Sequence, residues 1–428
     1  MSLIGKICSL KKNNSVKNGV LFSLFSFINR GLAFFLLLIL ANYILPADYG
    51  FLSLFGTVVM VLGYFIAFST DGYMTVAFFR DGNEGVKRAF TSIFVTAFFV
   101  CVVTLLCLFL GGDPLSKILN LPRKMLYLAV PICFFTLLSN VNLDLFRIRE
   151  KVKLYGFFCC LNALLNFVLS IVLVKSLLMG WEGRVWAQFV CSLVFGFICL
   201  LVFFKSKLVA KFDFSYWKSM MLWGIPLIPH LSINFIRQGM DRYIINSNHG
   251  IESVGLFSFA LNLANIIFMI GMGFNQSNSV EIYKVLGAKE LTLTEKKERL
   301  KRQRRLLLKV YLLASVIVSV ACFIGIPVFL PKYVGALKFF PILAVYAFFY
   351  CCYLLYANYL FFFKKTKNIM YVTFGSSIFH LLMSLLLTRF SLYYTCCIYC
   401  ISQLMIVVGI RYMALKTLEK SEEVENEF

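Results

Sequence analysis

Charge is what this 428-residue sequence has least of. Only 14% of its residues are Asp, Glu, Lys or Arg, and the 20 acids are outnumbered by 42 bases. Soluble globular domains carry about a quarter charged residues, so a soluble enzyme is excluded. The three histidines, His230, His249 and His380, have no ligand-like spacing, and no HExxH is present, which argues against a histidine-based metal site. There is also no GxxxxGK[ST] phosphate loop and no soluble segment long enough for a catalytic domain. A nucleotide-driven motor is therefore not encoded here.

What is present is apolar: 60% hydrophobic residues, 17% aromatic, and a mean hydropathy of +0.83. Runs long enough to cross about 30 Å of hydrocarbon recur along the chain, and continuous runs imply helices. Twelve spans are expected, near 18–44, 50–70, 89–110, 125–146, 155–178, 184–204, 219–246, 252–275, 305–330, 334–363, 368–388 and 392–414. The first is too long for a signal-peptide core and is followed by no small-residue cleavage pattern, so it is expected to remain in the membrane.

The formal charge of +22 follows from topology. With an even number of spans, 31 of the 42 Lys and Arg fall on the side of both termini, and Arg30 and Arg237 lie inside spans. That bias places both termini in the cytoplasm and makes a nucleic-acid partner unnecessary. The basic stretch EKKERLKRQRRLLLK, expected in the loop between spans 8 and 9, reads as a topogenic segment touching anionic headgroups. The 14 cysteines are scattered through apolar spans, including the Cys397–Cys400 CxxC, and read as small apolar fillers.

The chain is an internal duplication. DYGFLSLF around Gly50 faces SVGLFSFA around Gly255, each at the entry of a span. Arg30 lies twenty residues before Gly50 and Arg237 eighteen before Gly255, while Arg80 and Lys284 follow the two glycines at similar distances. The expected architecture is an all-α polytopic membrane protein with about 12 transmembrane helices in two six-helix bundles, 1–214 and 215–415, plus a cytoplasmic tail, 416–428. Each half has six spans, so the repeat is parallel, with a pseudo-twofold along the membrane normal and a substrate site at the interface of the halves. In the first turn Pro46 breaks the helix and Asp48 suits an N-cap; in the second, Gly250 and Ser253 take those roles.

Polar residues in the spans fall on stripes at helical spacing. Span 1 carries Gly19, Ser23, Ser26 and Arg30; span 7 carries His230, Asn234, Arg237 and Asp241. Span 8 adds Ser258, Asn262, Asn265 and Gln276, and span 5 adds Asn162 and Asn166. An Arg at a helix centre costs about 2.5–3.5 kcal/mol on the insertion scale, so it usually faces a bundle interior or wet cavity. A hydrated cationic cavity suited to an anionic headgroup is the functional expectation. Arg237 and Asp241, one turn apart, could instead neutralise each other.

LPADYG at 45–50, GIP at 224–226, DRYII at 241–245 and VGLFS at 254–258 resemble the bacterial polysaccharide-biosynthesis exporters. These are the Wzx-type repeat-unit flippases of the multidrug/oligosaccharidyl-lipid/polysaccharide superfamily, and the resemblance covers nearly the whole chain. It implies a V-shaped pair of bundles moving an undecaprenyl-pyrophosphate-linked oligosaccharide, such as an O-antigen unit, from the cytoplasmic to the periplasmic leaflet of the inner membrane by alternating access. By resemblance Arg30 and Arg237 meet the pyrophosphate, with Asn234, Asn262 and Asn265 as further substrate-binding candidates. Asp241 and Arg242 are expected in gating or an ion pair. No catalytic residue, metal or cofactor is expected; proton or sodium coupling would supply the drive. Polymerase and chain-length proteins of the same pathway are candidate partners. Phe257 stands where Tyr is commoner in that family, and the C-terminal EKSEEVENEF is expected to be unstructured. A multidrug cation antiporter of the same superfamily would call for buried acids in the cavity, and a membrane enzyme of lipid-linked sugar polymerisation for a large external loop.

Overall fold

The computed structural model describes residues 14–426, except Ser69, Asp71, 226–232, Asn234, Lys289 and Lys364; the side chains of 14–20, 22, 23, 26, 27, 30, 238, 293 and 420–426 are also outside the description. Among the described residues there is no strand, as expected for a chain whose backbone groups must be satisfied within single segments in lipid. The first compact unit runs to Phe235 and the second starts at Ile236.

Unit one contains α1 (Asn14–Ala41), α2 (Pro46–Ala67), α3 (Tyr73–Leu119), α4 (Arg123–Ile148), α5 (Val152–Ile171, prolonged by a π turn to Ser176), α6 (Gly180–Lys205) and α7 (Phe214–Gly224). Helix α4 packs against α2, α3 and α6, and α1 packs along α5. Lipid tails are as apolar as Leu, so such packing depends on close fit more than on water exclusion. Gly196 of α6 illustrates this: a Cβ there would come within 2.7 Å of Phe135 on α4. Phe90 stacks on Phe203 with centroids 3.9 Å apart, joining α3 to α6. The sequence division after residue 214 falls behind the first residue of α7, which packs on α3 through a Trp217 Nε1 hydrogen bond of 2.8 Å to Thr96 Oγ1.

Unit two begins within a π turn (Phe235–Gly239), at its second residue, and continues through α8 (Met240–His249), α9 (Ile251–Gly287), α10 (Leu293–Phe329), a 3-10 segment (Pro331–Lys338), α11 (Phe340–Phe362), α12 (Thr366–Leu387) and α13 (Leu392–Asn426). Helix α11 lies between α9 and α13, and α12 packs on α13. Tyr399 of α13 meets Tyr346 of α11 and Phe257 of α9 edge-on, at 5.1 and 5.6 Å. Helix α10 keeps 17% of its apolar window buried and turns the rest outward.

Ten helices are long and apolar enough to cross a membrane among the described residues, against twelve expected. The two remaining positions are α1, of which Gly31–Ala41 registers as a shorter apolar helix, and the region 219–246. Of that region the described residues form the end of α7, to Gly224, and the π turn that leads into α8. The basic stretch expected as a loop is helical, forming the first turns of α10. Thr292 opens it with a capping box, its N–H donating to Glu295 Oε2 at 2.9 Å and its Oγ1 accepting from Glu295 N at 3.3 Å. The expected unstructured tail continues α13 through Asn426.

Both turns of the repeat are built differently from expectation. Leu45 is the N-cap of α2, Pro46 follows at N1, and Asp48 reaches back to accept the Leu45 N–H at 3.2 Å. At the second turn Gly250 takes φ 81° between α8 and α9, a conformation glycine adopts without a Cβ penalty. Ser253 caps no N-terminus; its hydroxyl donates to the last carbonyl of α8, His249 O, at 3.0 Å.

Candidate functional site

In unit one the polar stripes of four helices converge on a cavity of about 220 Å³. Asn29 comes from α1, Thr136 and Asn140 from α4, Asn162 and Asn166 from α5, and Arg184 and Gln188 from α6. Within each of the last three helices the residues are four apart, so one turn presents both to the same side. Arg184 is fixed by the adjacent helix: its Nη1 donates to Asn166 Oδ1 and, at 3.0 Å, to Ser170 Oγ. Ser170 in turn donates to the Asn166 carbonyl at 2.6 Å. Nη2 and Nε of Arg184 and the side-chain amides of Asn29, Asn140, Asn162 and Gln188 have no protein partner among the described residues. Among the described residues no carboxylate lines the cavity.

A second cavity of about 360 Å³ shares Thr136, Asn140 and Gln188 with the first, and its remaining wall, Val59, Met60, Gly63, Tyr64, Ala67, Cys133 and Leu137, is mostly apolar. Its size is within the roughly 300–1,000 Å³ of small-molecule sites. The joined pair has a cationic, amide-rich end and a greasy end.

In unit two the polar residues close on one another. Nε2 of His380 lies 2.7 Å from Oδ2 of Asp241, and Nδ1 lies 3.0 Å from Ser402 Oγ. Arg237, on the π turn, donates through Nη2 to Gln403 Oε1 at 2.8 Å. Among the described residues no ion pair joins Arg237 to Asp241, so the mutual neutralisation suggested by their spacing does not form. The reason is rotational: α12 and α13 supply other partners to each side chain.

Of the sequence-derived candidates, Asn234 and the side chain of Arg30 lie outside the described residues. Arg237, Asp241 and Arg242 fall on the π turn and α8, and Asn262 and Asn265 are half-buried on α9. Asn162 and Asn166 do line a cavity. Arg184, the first residue of expected span 6, was not among the candidates; the signal was its spacing to Gln188 opposite the Asn162–Asn166 stripe. His380 was missed because a lone histidine in an apolar span has no local motif.

The profile of the family "polysaccharide biosynthesis protein" matches residues 15–278, more than half of the chain. The chain belongs to the polysaccharide biosynthesis protein family. A second profile, MatE, matches residues 226–386. Two relatives of the family member are from Haemophilus influenzae: the Lsg locus putative protein 1, 21% identical over 65% of this chain and 68% of its own, and an uncharacterized membrane protein, 23% identical over 81% and 84%. An inward-facing multidrug resistance MATE family transporter of the MOP superfamily superimposes with a TM-score of 0.72 at 11% identity, covering 94% of this chain and 96% of the other. A MOP superfamily transporter from Pyrococcus furiosus, described as having a binding pocket of reverse polarity, gives 0.60 at 12% identity, with 94% and 96% covered. The chain is thus a multi-pass membrane protein of the polysaccharide biosynthesis protein family, with the fold seen in MOP superfamily transporters.

Proposed function

We propose that the protein flips an undecaprenyl-pyrophosphate-linked oligosaccharide from the cytoplasmic to the periplasmic leaflet of the bacterial inner membrane, by alternating access, with both termini in the cytoplasm. The observation that carries this reading is the unit-one cavity, which offers Arg184 and uncommitted amides with no carboxylate. Amides bond to sugar hydroxyls in either sense, and a guanidinium pairs with phosphate or uronate oxygens through parallel N–H bonds. The adjoining apolar wall suits the first units of a lipid carrier. A cation-exporting drug transporter would place an acid there; the acid of unit two, Asp241, is engaged by His380.

Arg30 and Arg237, at equivalent places in the repeat, are the further pyrophosphate-binding candidates of the two units. The test replaces Arg184, Arg237 and Arg30 singly by Ala and measures surface polysaccharide together with lipid-linked units retained in the membrane. Loss of surface polymer with accumulation of the linked intermediate, at normal membrane levels of the protein, is expected. Normal polymer in all three strains, or altered tolerance to cationic drugs with polymer unchanged, would overturn the assignment.

A further inference from the structure

A third cavity of unit one, about 470 Å³, lies apart from the polar pair, along α3 and α7. Its wall is built by Phe68, which follows α2, by Val95 and Phe99 of α3, and by Phe212, Phe214 and Ile225 at the two ends of α7. Phe99, Phe212, Phe214 and Ile225 are 46–67% exposed. The polar side chains that reach this cavity are closed on one another. Trp217 Nε1 donates to Thr96 Oγ1 at 2.8 Å, and Thr96 Oγ1 donates to the Ser92 carbonyl at 2.7 Å. A polar ligand group placed here would lose its water and gain no partner, so the cavity suits hydrocarbon.

Helix α7 is pinned at both ends, so the groove belongs to the frame. Near its start Tyr216 Oη donates to the Gly85 carbonyl at 3.3 Å; at its end a Cβ on Gly224 would come within 2.4 Å of the Phe68 carbonyl. The helix has 11 residues, about 16 Å of length. That is close to half of a hydrocarbon core roughly 30 Å thick, so the groove is about as long as one leaflet is deep.

Basic side chains gather at one mouth of the groove. Thr91 of α3 is tied to the segment before α7, its Oγ1 accepting from Ala210 N at 3.0 Å. Lys211 follows this clasp, and Arg88 lies one turn before Thr91 on α3. Arg88, Val95 and Phe99 share one face of that helix by their spacing, and Lys218 lies one turn beyond Phe214 on α7. Arg88, Lys211 and Lys218 are exposed and have no ion-pair partner among the described residues. The acids beside them are engaged: Asp213 Oδ1 accepts from Ser215 N and Tyr216 N at 2.9 and 3.2 Å, and Glu84 pairs with Lys87 at 2.6 Å.

We propose that this groove binds one anionic phospholipid, with an acyl chain lying along α3 and α7 and the phosphate meeting Arg88, Lys211 and Lys218. An exposed apolar face alone takes any lipid; a basic mouth on a fitted slot selects by headgroup. The bound lipid braces α7 against α3. The site is separate from the polar cavity and does not rest on the function proposed above.

Trp217 lines the groove and is one of four tryptophans, so quenching of its fluorescence by brominated acyl chains reads occupancy. The full-length protein with Trp181, Trp186 and Trp223 replaced by Phe is reconstituted in phosphatidylcholine bilayers. Dibrominated phosphatidylglycerol or dibrominated phosphatidylcholine is then added at equal mole fraction. The anionic lipid should quench with an apparent affinity about fivefold higher or more, the size of one basic contact to an anionic headgroup. The preference should vanish in the triple variant Arg88→Gln, Lys211→Gln, Lys218→Gln. Equal quenching by both lipids, or a preference that survives the triple substitution, overturns the proposal. Quenching that is relieved by unbrominated undecaprenyl phosphate and not by unbrominated phosphatidylglycerol also overturns it, because the groove then belongs to the carrier lipid. If the three Phe substitutions prevent folding, the difference in quenching between the parent and Trp217→Phe gives the same reading.

Discussion

The two compact units show one sequence pattern, yet they treat the polar side chains of their helices in opposite ways. In unit one Asn29, Asn140, Asn162, Gln188 and most of Arg184 face a cavity with no partner among the described residues. In unit two comparable residues satisfy one another across helices: Asp241 with His380, Arg237 with Gln403, Asn358 Nδ2 with Asn275 Oδ1 at 2.8 Å, and Gln303 Nε2 with Asn278 Oδ1 at 2.9 Å. Hydrogen bonds left open inside a bundle are costly unless water or a ligand completes them. Bonds closed between helices instead hold those helices in place. The first pattern suits binding and the second suits coupling between helices.

The sharpest way to break this comparison is to remove one member of the closed pair. His380→Ala leaves the Asp241 carboxylate buried and alone, and thermal denaturation in detergent should show a loss of about 3–5 kcal/mol. Replacing both by Leu should cost much less, since no charge is then stranded. Next comes the open site. Arg184→Ala removes bonds worth about 1.5–3 kcal/mol, equivalent to roughly a tenfold to hundredfold loss of affinity. This should appear in the concentration dependence of binding of a pyrophosphate-linked saccharide, with a smaller effect on melting than His380→Ala; Arg184→Lys, lacking the planar fork, should recover only part. A smaller effect is expected for Asn358→Ala, about 0.6–1.7 kcal/mol in the same melting assay, the range of interhelical hydrogen bonds in a membrane bundle. Smallest of all, Arg80→Gln breaks an exposed 3.2 Å contact with Asp81, and its melting temperature should match the parent, because solvent screens such pairs.

How much of this was legible follows from the range of each signal. Apolar runs, the Lys and Arg bias and the Gly50–Gly255 register are properties of neighbouring residues, and they led to the membrane class and the duplication. Asn162 and Asn166 were visible as a stripe because four residues make one helical turn. Arg184 was hidden at the edge of an expected span: as the first residue of 184–204 it looked like a flanking charge, whereas α6 begins one turn earlier, at Gly180. The long basic stretch looked like a loop because charge alone carries no helical phase, and the capping box at Thr292 was the overlooked sign of its helix. Arg237 and Asp241 were singled out as polar residues of one expected span, and the alternative that they neutralise each other was drawn from their spacing along it. Their observed partners lie on other helices.

By itself, then, the sequence determined that this is a helical, multi-pass membrane protein, and it gave the expectation of an internal repeat. Hydropathy, topology and helical phase are set over one or two turns or one span, so they can be read along the chain. Only the tertiary structure decided which polar groups remain open and which are closed. Asp241 and His380 are 139 residues apart, and Asn166 meets Arg184 across two helices. A buried polar group takes its partner from whichever helix the packing rotates toward it, and that choice belongs to the assembled bundle.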